Sequence, residues 1–316
     1  MNIFITGGSG FIGRKLVEVL RNKGHSVKML SRHPASKALP GVQEVLGDLS
    51  SALCPFDQLV EDCEIIFHCA GEIRNTEMMR PLHVDATQRL LEAVHNEASR
   101  TGRTIHWVQL SSVGIYGPPR EKANSERIVT EKTTHNPVGE YEITKSISDE
   151  MIMQACQDGL MTCSIVRPSN VIGKGMTNQS LRSMGTMIGR RLFFYIGRPG
   201  AIATYVHVDD VVEVLLRCGF EQCAKGEVFN VSNDCALEEL VKSISIALKV
   251  RPPWMRFPEP VVRIFAGAAA NIATIPLTRE RIDVLVSRTS YPYQKLERVL
   301  GFKPEKSVPG CIAEAL

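Results

Sequence analysis

Residues 2 to 6 form a short apolar run, NIFIT, that passes without interruption into GGSGFIG and then into a helical pattern from Phe11. Few other arrangements constrain a chain so tightly. Gly7, Gly10 and Gly13 stand three apart, and a turn so bare of side chains lets the backbone close around a charged group. The unpaired amides and positive dipole end of the helix that follows favour an anion at that place. Strand, turn and helix together therefore predict a nucleotide pyrophosphate resting on Gly7, Gly10 and Gly13. Gly8 also completes G-x-G-x-x-G, so the spacing does not choose among variants of the dinucleotide fold.

Beyond this turn the chain alternates short apolar runs with longer helical stretches to about residue 170. The order is Phe11 to Lys23, SVKML, VQEVL, EIIFH, Met79 to Ser99, TIHWVQL, Val138 to Gln157 and TCSIV. Parallel strands need a long return path between them, and this rhythm supplies one each time. The prediction is an α/β fold, a Rossmann-type doubly wound parallel sheet spanning residues 1–170. VHVDDVVEVLLRC and GEVFNVS bring residues 204–235 back to strand and helix patterning. Residues 171–203 and 236–316 then form a smaller, interleaved substrate domain. The turn at Gly117 to Pro119 and the polar stretch Glu121 to His135 read as the longest loop, and long loops over α/β sheets often carry function.

Hydrophobic residues make 44% of the chain and charged ones 22%, as expected of a folded globular protein. A net charge of +3 gives no basic stripe for nucleic acid. Nine cysteines without a C-x-x-C pair suggest neither a disulfide framework nor a metal site, and they fit a reducing cytoplasm. The apolar stretch Val261 to Leu277 is interrupted by Arg263 and Asn271 and falls short of the ~20 residues of a membrane span. It reads as an amphipathic helix, with attachment to a membrane surface as the alternative.

Where a second strand ends, a dinucleotide site lacking a 2′-phosphate usually carries a carboxylate. Here the sequence is Ser31-Arg32-His33. A guanidinium in that place favours a phosphorylated ribose, so NADP is expected, with NAD possible. Asp48, after the third strand, has two open roles: acceptor from the adenine amine, or helix N-cap.

Tyr141 and Lys145 lie four apart in YEITK, on one face of a predicted helix. A neighbouring ammonium lowers the pKa of a phenol, so the pair suits proton exchange with a carbonyl being reduced. The preceding strand ends in QLSSVGIYG, which places Ser112 at the sheet's ligand-binding edge. Ser111 beside it reads as a capping or turn hydroxyl.

Taken together, TGGSGFIG, SSVGIYG, YEITK, RPSNVIG and YVHVDDVV resemble the extended short-chain dehydrogenase/reductase superfamily, in its NAD(P)-dependent epimerase/dehydratase branch. The resemblance covers nearly the whole chain. It implies Tyr141 as catalytic acid/base, Lys145 as its pKa-lowering partner and holder of the nicotinamide ribose, and Ser112 as the hydroxyl that polarises the substrate. Around the cofactor it implies Phe11 and Ile12 in the first turn, Leu49 beside Asp48, Cys69, Ala70 and Gly71 of IFHCAG, and Pro168. Asn170 of RPSNVIG matches the residue that meets a substrate diphosphate, and a homodimer is implied through the helices near residues 79–99 and 138–157.

Three departures stand out. His83 occupies the helix position where the family commonly has Asn. Val113 and Gly114 replace the acidic pair of dehydratases, which argues against a 4,6-dehydratase. The Arg that the family carries before its VHVDD-like strand is absent from GAIATYVHVDD, leaving Arg190, Arg191 and Arg198 as nearby charges or as a solvated face. The expectation is an NADP-dependent ketoreductase of a nucleotide-activated sugar. An epimerase with the same groups, a hydroxysteroid- or flavonoid-type ketoreductase, and a non-catalytic NADP-sensing module are the alternatives.

Overall fold

The computed structural model describes residues 1–34, 40–119, 124–176, 179–268 and 278–316. Parts of the expected long loop (120–123) and of the apolar stretch after Val261 (269–277) lie outside the described residues.

Seven parallel strands form the central sheet: β1 (Asn2–Thr6), β2 (Ser26–Ser31), β3 (Val42–Leu46), β4 (Ile65–His68), β5 (Ile105–Leu110), β6 (Met161–Pro168) and β7 (Val228–Val231). Their spatial order is 3-2-1-4-5-6-7, so the direction of winding reverses between β1 and β4. That reversal opens a crevice above the carboxyl ends of these two strands. Side-chain alternation explains why both faces are covered. Ile3 and Ile5 point into a cluster with Leu16, Val17 and Leu20 of α1 (Phe11–Asn22). Val211, Val212 and Leu215 of the helix Val208–Phe220 pack into the same cluster. Phe4 points the other way, against Leu90, Leu91 and Val94 of α2 (Ala86–Thr101) and Ile152 of α3 (Glu140–Ala155).

The sequence-derived helix at Met79–Ser99 begins earlier and is not uniform. Thr76–Arg80 is α-helical, Pro81–Asp85 is a wide π turn, and α2 follows. Pro81 has no amide hydrogen, and the Ala86 amide reaches five residues back to the Pro81 carbonyl. His83 sits inside this turn.

The remaining chain builds a smaller apolar cluster around Ile172, Leu181, Ile188, Tyr205, Leu240, Val241 and Ile244. Strands of two or three residues connect its parts. Glu126–Ile128, inside the stretch expected to be loop, pairs with Arg288–Ser290, which ties the segment after β5 to the C-terminal region. The amphipathic helix expected over Val261 to Leu277 begins at Glu259, and its described part reaches Ala268; just before it Arg256–Phe257 is a short strand beside Tyr195–Ile196.

Two sets of buried polar groups fasten the sheet to α3. In the first, Asp149 and Arg167 are almost fully buried; Arg167 Nη2 lies 3.1 Å from Asp149 Oδ2, and Nε donates to the same oxygen. Ser111 adds a 2.8 Å hydrogen bond to that oxygen, and Arg167 Nη1 donates to the Tyr116 hydroxyl. Burial lifts the Asp149 carboxyl above its ordinary range, against the pull of Arg167, Ser111 and Lys145.

The second set is a run of neutral histidines. Thr6 Oγ1 accepts from the Ala70 amide, so its proton goes to His68 Nδ1 at 2.9 Å. His68 Nε2 is then the protonated nitrogen and donates to Thr87 Oγ1, which itself donates to the His83 carbonyl. Burial, aided by the charge of Lys145, depresses both His68 and His83 to about 3.

Two outcomes are expected. Asp149→Asn leaves Arg167 buried and unpaired, and urea denaturation should show a loss of about 3–5 kcal/mol, much of it recovered when Arg167 is also replaced by Met. For the histidines, the unfolded chain binds protons below about pH 6.5 while the native state refuses them until about pH 3. Stability is therefore full above that upper value and declines as pH falls, by about 2–3 kcal/mol for each of His68 and His83 at pH 4.5. Melting temperature measured from pH 7 to 4.5 checks this, and His83→Asn should flatten the slope.

Candidate active site

Local sterics force the glycine turn at the end of β1. Gly7 has φ +66°, and a Cβ there would lie 2.7 Å from backbone atoms of Cys69 and Ala70. A Cβ on Gly13 would lie 2.1 Å from the Gly7 carbonyl oxygen, so the first turn of α1 closes directly on the loop. Gly10 begins α1 with no side-chain cap, and no acid stands in the first turn. The amides there keep no side-chain acceptor, and this donor set fits a pyrophosphate. Phe11 and Ile12 are half-buried beside it.

The residues expected to meet an adenosine assemble as a charged cluster. Arg32 is exposed after β2, and its charge acts on both Asp48 and Glu72. Asp48 is not a helix N-cap: its Oδ1 accepts from the amide and hydroxyl of Ser50 at 2.9 and 2.7 Å, while the next helix begins at Phe56 behind Pro55. Burial works to raise the Asp48 carboxyl, but the Ser50 bonds and then Arg32 outweigh it and hold it below its ordinary value. Leu49 is buried.

Glu72 was not singled out from the sequence, yet it organises the loop after β4. Its Oε1 accepts from the amides of Ile73, Arg74 and Asn75. The Arg74 amide, then those of Asn75 and Ile73, keep its carboxyl low despite some burial. A carboxylate immediately after a strand-ending Ala-Gly pair is the signal that was available. Its own amide donates to His83 Nε2 at 2.9 Å. That bond places the His83 proton on Nδ1, which donates to Thr144 Oγ1 at 2.8 Å.

β5 and α3 bring the candidate chemical groups together. Ser112 ends the strand segment, and its Oγ accepts from the Gly114 amide at 3.1 Å, capping the turn Val113–Tyr116. The cap is therefore Ser112, whereas Ser111, expected to cap, bonds Asp149 instead. Gly139 begins α3, so Tyr141 stands in its first turn and Lys145 in the next. The His83 ring lies edge-on to Tyr141 at 5.6 Å. Cys69, Ala70 and Gly71 run past the lysine: a Cβ on Gly71 would lie 3.8 Å from Lys145 Nζ and 3.6 Å from His83 Nε2. Those are ordinary van der Waals contacts, so Gly71 lies directly beside the lysine and the imidazole; with the uncapped amides at the start of α1, the residues present fit a nicotinamide cofactor.

Electrostatics at Tyr141 differ from the sequence expectation. Burial, followed by the charge of Glu142, pushes the phenol up to about 12; a hydrogen bond with Ser112 works the other way, and Asp149 adds to the rise. Lys145 Nζ donates to the Leu110 carbonyl at 2.9 Å, and burial lowers its own pKa, against Asp149 and Cys69. Within the protein's own groups the phenol is a neutral proton donor.

A cavity of about 820 Å³ lies beside Gly117–Pro119 and is lined by Asn170, Met184, Tyr205, Leu237, Arg263 and Leu285, among others. Asn170 faces it, with its Nδ2 bonded to the Thr204 carbonyl. Pro168 ends β6 opposite Val231. The guanidinia lining the cavity, among the described residues, are those of Arg127 and Arg263. Arg127 donates to the carbonyls of Tyr116 and Gly117, and Arg263 pairs with Glu259 and Asp283. Arg190, Arg191 and Arg198 do not line it. The described residues hold no group of His, Cys, Asp and Glu suited to a metal ion, and all nine cysteines are free.

Comparison with known proteins agrees with this geometry. Residues 3–232 match the NAD dependent epimerase/dehydratase family. UDP-glucose 4-epimerase of Vibrio cholerae is 22% identical, covering 97% of this chain and 92% of that protein. A 3 beta-hydroxysteroid dehydrogenase/Delta 5-->4-isomerase of Mycobacterium tuberculosis is 25% identical, covering 99% and 89%. Among solved structures, MoeE5 in complex with UDP-glucuronic acid and NAD superposes with a TM-score of 0.76 at 21% identity, over 99% of this chain and 97% of the other. UDP-glucose 4-epimerase from Thermotoga maritima, bound to UDP-glucose, gives 0.75 at 20% identity, over 100% and 97%. With its sheet order, its glycine turn and its Tyr-Lys helix accounted for, this chain is a member of the NAD dependent epimerase/dehydratase family and an enzyme of the short-chain dehydrogenase/reductase superfamily.

Proposed function

We propose that the protein is an NADP-dependent ketoreductase acting on a carbonyl of a nucleotide-activated sugar, with Tyr141 as the proton donor. The observation that carries this reading is the hydrogen bond between Ser112 and Tyr141, with Lys145 one turn further along the same helix and beside Gly71. A nicotinamide cofactor bound there supplies or accepts hydride. The phenol of Tyr141, neutral up to about pH 12, holds the proton that a reduced carbonyl oxygen takes up. Ser112 orients that oxygen through its hydroxyl, and Lys145, fixed by the Leu110 carbonyl, retains two further N–H donors for a ribose. Arg32 favours the phosphorylated ribose, and Gly7, Gly10 and Gly13 take the pyrophosphate. Solved relatives described with UDP-glucose or UDP-glucuronic acid and NAD support the sugar reading, and Asn170 on the cavity wall supplies an amide for it. An epimerase uses the same groups without net reduction.

A second substrate reading has its own observation. Both guanidinia on the cavity wall are engaged by protein oxygens, and Glu259 and Asp283 stand with them. Among the described residues such a wall offers a diphosphate no uncommitted cation, and Met184, Ile202, Leu237, Pro260 and Leu285 offer apolar surface. This favours a ketone on a steroid- or flavonoid-like body. The homodimer through α2 and α3 and the cytoplasmic location belong to the same proposal.

Tyr141→Phe is expected to lower kcat by about 10²–10⁴-fold while leaving NADPH affinity within about threefold, measured by steady-state kinetics and fluorescence titration. Full turnover in that variant removes the mechanism. Arg32→Ala should raise KM for NADPH by at least about tenfold and spare NADH, because a charge-assisted phosphate bond contributes roughly 1.5–3 kcal/mol. Thermal shift with NADPH plus UDP-glucose, against NADPH plus a steroid ketone, decides the substrate class: the ligand that binds the native state raises the melting point.

A further inference from the structure

One surface of the smaller part of the molecule is built unlike the rest. Residues 248–265 read LKVRPPWMRFPEPVVRIF. Trp254 is 86% exposed, Ile264 71% and Phe265 70%, with Leu192, Phe257 and Val261 also exposed. The helix Glu259–Ala268 buries Val262 and Ala266 against Ile196, Ile282 and Val286. Its opposite side, which on a surface helix is ordinarily polar, carries Val261, Ile264 and Phe265 instead. Contiguous apolar surface of this kind marks a site of interaction.

Cations flank this face. A Cβ on Gly189 would touch Leu248 at 3.6 Å, Arg256 pairs with Tyr195, and the Phe194 and Phe257 rings meet at 5.1 Å. The segments 190–194 and 249–255 are thus bracketed by the same contacts at both ends, which puts Arg190, Arg191, Lys249 and Arg251 on the same part of the molecule. Among the described residues these four show no ion-pair partner, whereas Arg256 is paired with Glu238 and Arg263 with Glu259 and Asp283. Exposed Trp, Phe and Ile rimmed by unpaired Arg and Lys match the chemistry of a headgroup layer, where apolar side chains enter the acyl boundary and cations meet phosphates. A second copy of this chain fits less well, because a two-fold contact sets the patch against itself and brings like charges together. No helix among the described residues is long and apolar enough to cross a membrane, so the contact lies on the surface.

We propose that this face docks onto an anionic lipid bilayer, with Trp254, Ile264 and Phe265 in the interface and Arg190, Arg191, Lys249 and Arg251 against lipid phosphates. The inference goes beyond the catalytic proposal, since binding to lipid is read without turnover. It has a consequence for the cavity: Glu259, Pro260 and Arg263 of the same helix line its wall and Val284 is exposed beside them. Docking brings that wall to the bilayer.

The two tryptophans make the test direct. Trp107 is fully buried in the sheet, so a change in emission on adding lipid reports Trp254. With the full chain and phosphatidylcholine vesicles containing 30% phosphatidylglycerol, the expected result is a blue shift and co-sedimentation, both much weaker with pure phosphatidylcholine. Ile264→Glu with Phe265→Glu should abolish both while leaving the melting temperature and NADPH binding unchanged. Arg190→Ala with Lys249→Ala should weaken binding more than about tenfold. No blue shift and no sedimentation with either vesicle overturns the proposal. So does concentration-dependent self-association in light scattering that the double Glu variant disperses, which assigns the face to a second copy.

Discussion

The arrangement of the candidate site depends on one buried ion pair. Asp149 lies on α3, two turns beyond Tyr141 and one beyond Lys145, and Arg167 lies on β6. Their contact fixes the rotation of α3 about its own axis relative to the sheet. Because Ser111 donates to the same carboxylate oxygen, the end of β5 is held in register with α3 as well, and Ser112 follows by one residue. A slip of one helical residue, about 100° of rotation, would carry Tyr141 away from Ser112 altogether. Removing two charges from water is costly, and an apolar pair could fill the same space. What the ionic pair adds is direction: guanidinium and carboxylate meet in few geometries, and the Tyr116 hydroxyl and Asn230 extend that order to the turn after β5 and to β7.

A neutral hydrogen-bond chain performs the corresponding task for the cofactor loop. It begins at the Ala70 amide, passes through Thr6, His68 and Thr87 to the His83 carbonyl, and continues from His83 to Thr144, whose hydroxyl donates to the Glu140 carbonyl. Each histidine has one nitrogen that accepts and one that donates, so every link has a fixed tautomer. Protonating either ring would set a new N–H against a group that donates to it, the Thr6 hydroxyl at His68 or the Glu72 amide at His83. Gly71 and Glu72 are therefore coupled to the first turn of α3, where Tyr141 begins.

The legible part of this architecture was the part dictated locally. Gly7 is required by its own positive φ and Gly13 by contact with the Gly7 carbonyl across one turn, and such requirements leave a glycine in the sequence. The Tyr141 and Lys145 pair was legible because helical spacing alone puts both on one face. Asp149 continues that face, but nothing near it in sequence names Arg167, eighteen residues away on another element. Ser112 caps the turn where Ser111 was expected to, for the same reason: capping depends on where the turn begins, and the acceptor for Ser111 is distant in sequence. The three-residue strand Glu126–Ile128 was read as loop because a run so short shows no alternation, and its partner lies at Arg288–Ser290. The departures at His83 and before the VHVDD strand were visible, yet only the folded geometry gives His83 its two bonds.

The charges around Tyr141 also bear on its protonation state. Burial, Glu142 and Asp149 all favour the protonated phenol, against the hydrogen bond with Ser112. A neutral phenol is ready to give a proton, as reduction of a carbonyl requires, whereas oxidation of an alcohol requires a base. A positively charged ring bound above Gly71 would act in the opposite sense and make the phenolate more accessible. The protein's own groups thus favour the protonated phenol, and a phenolate there depends on charge brought in by what binds.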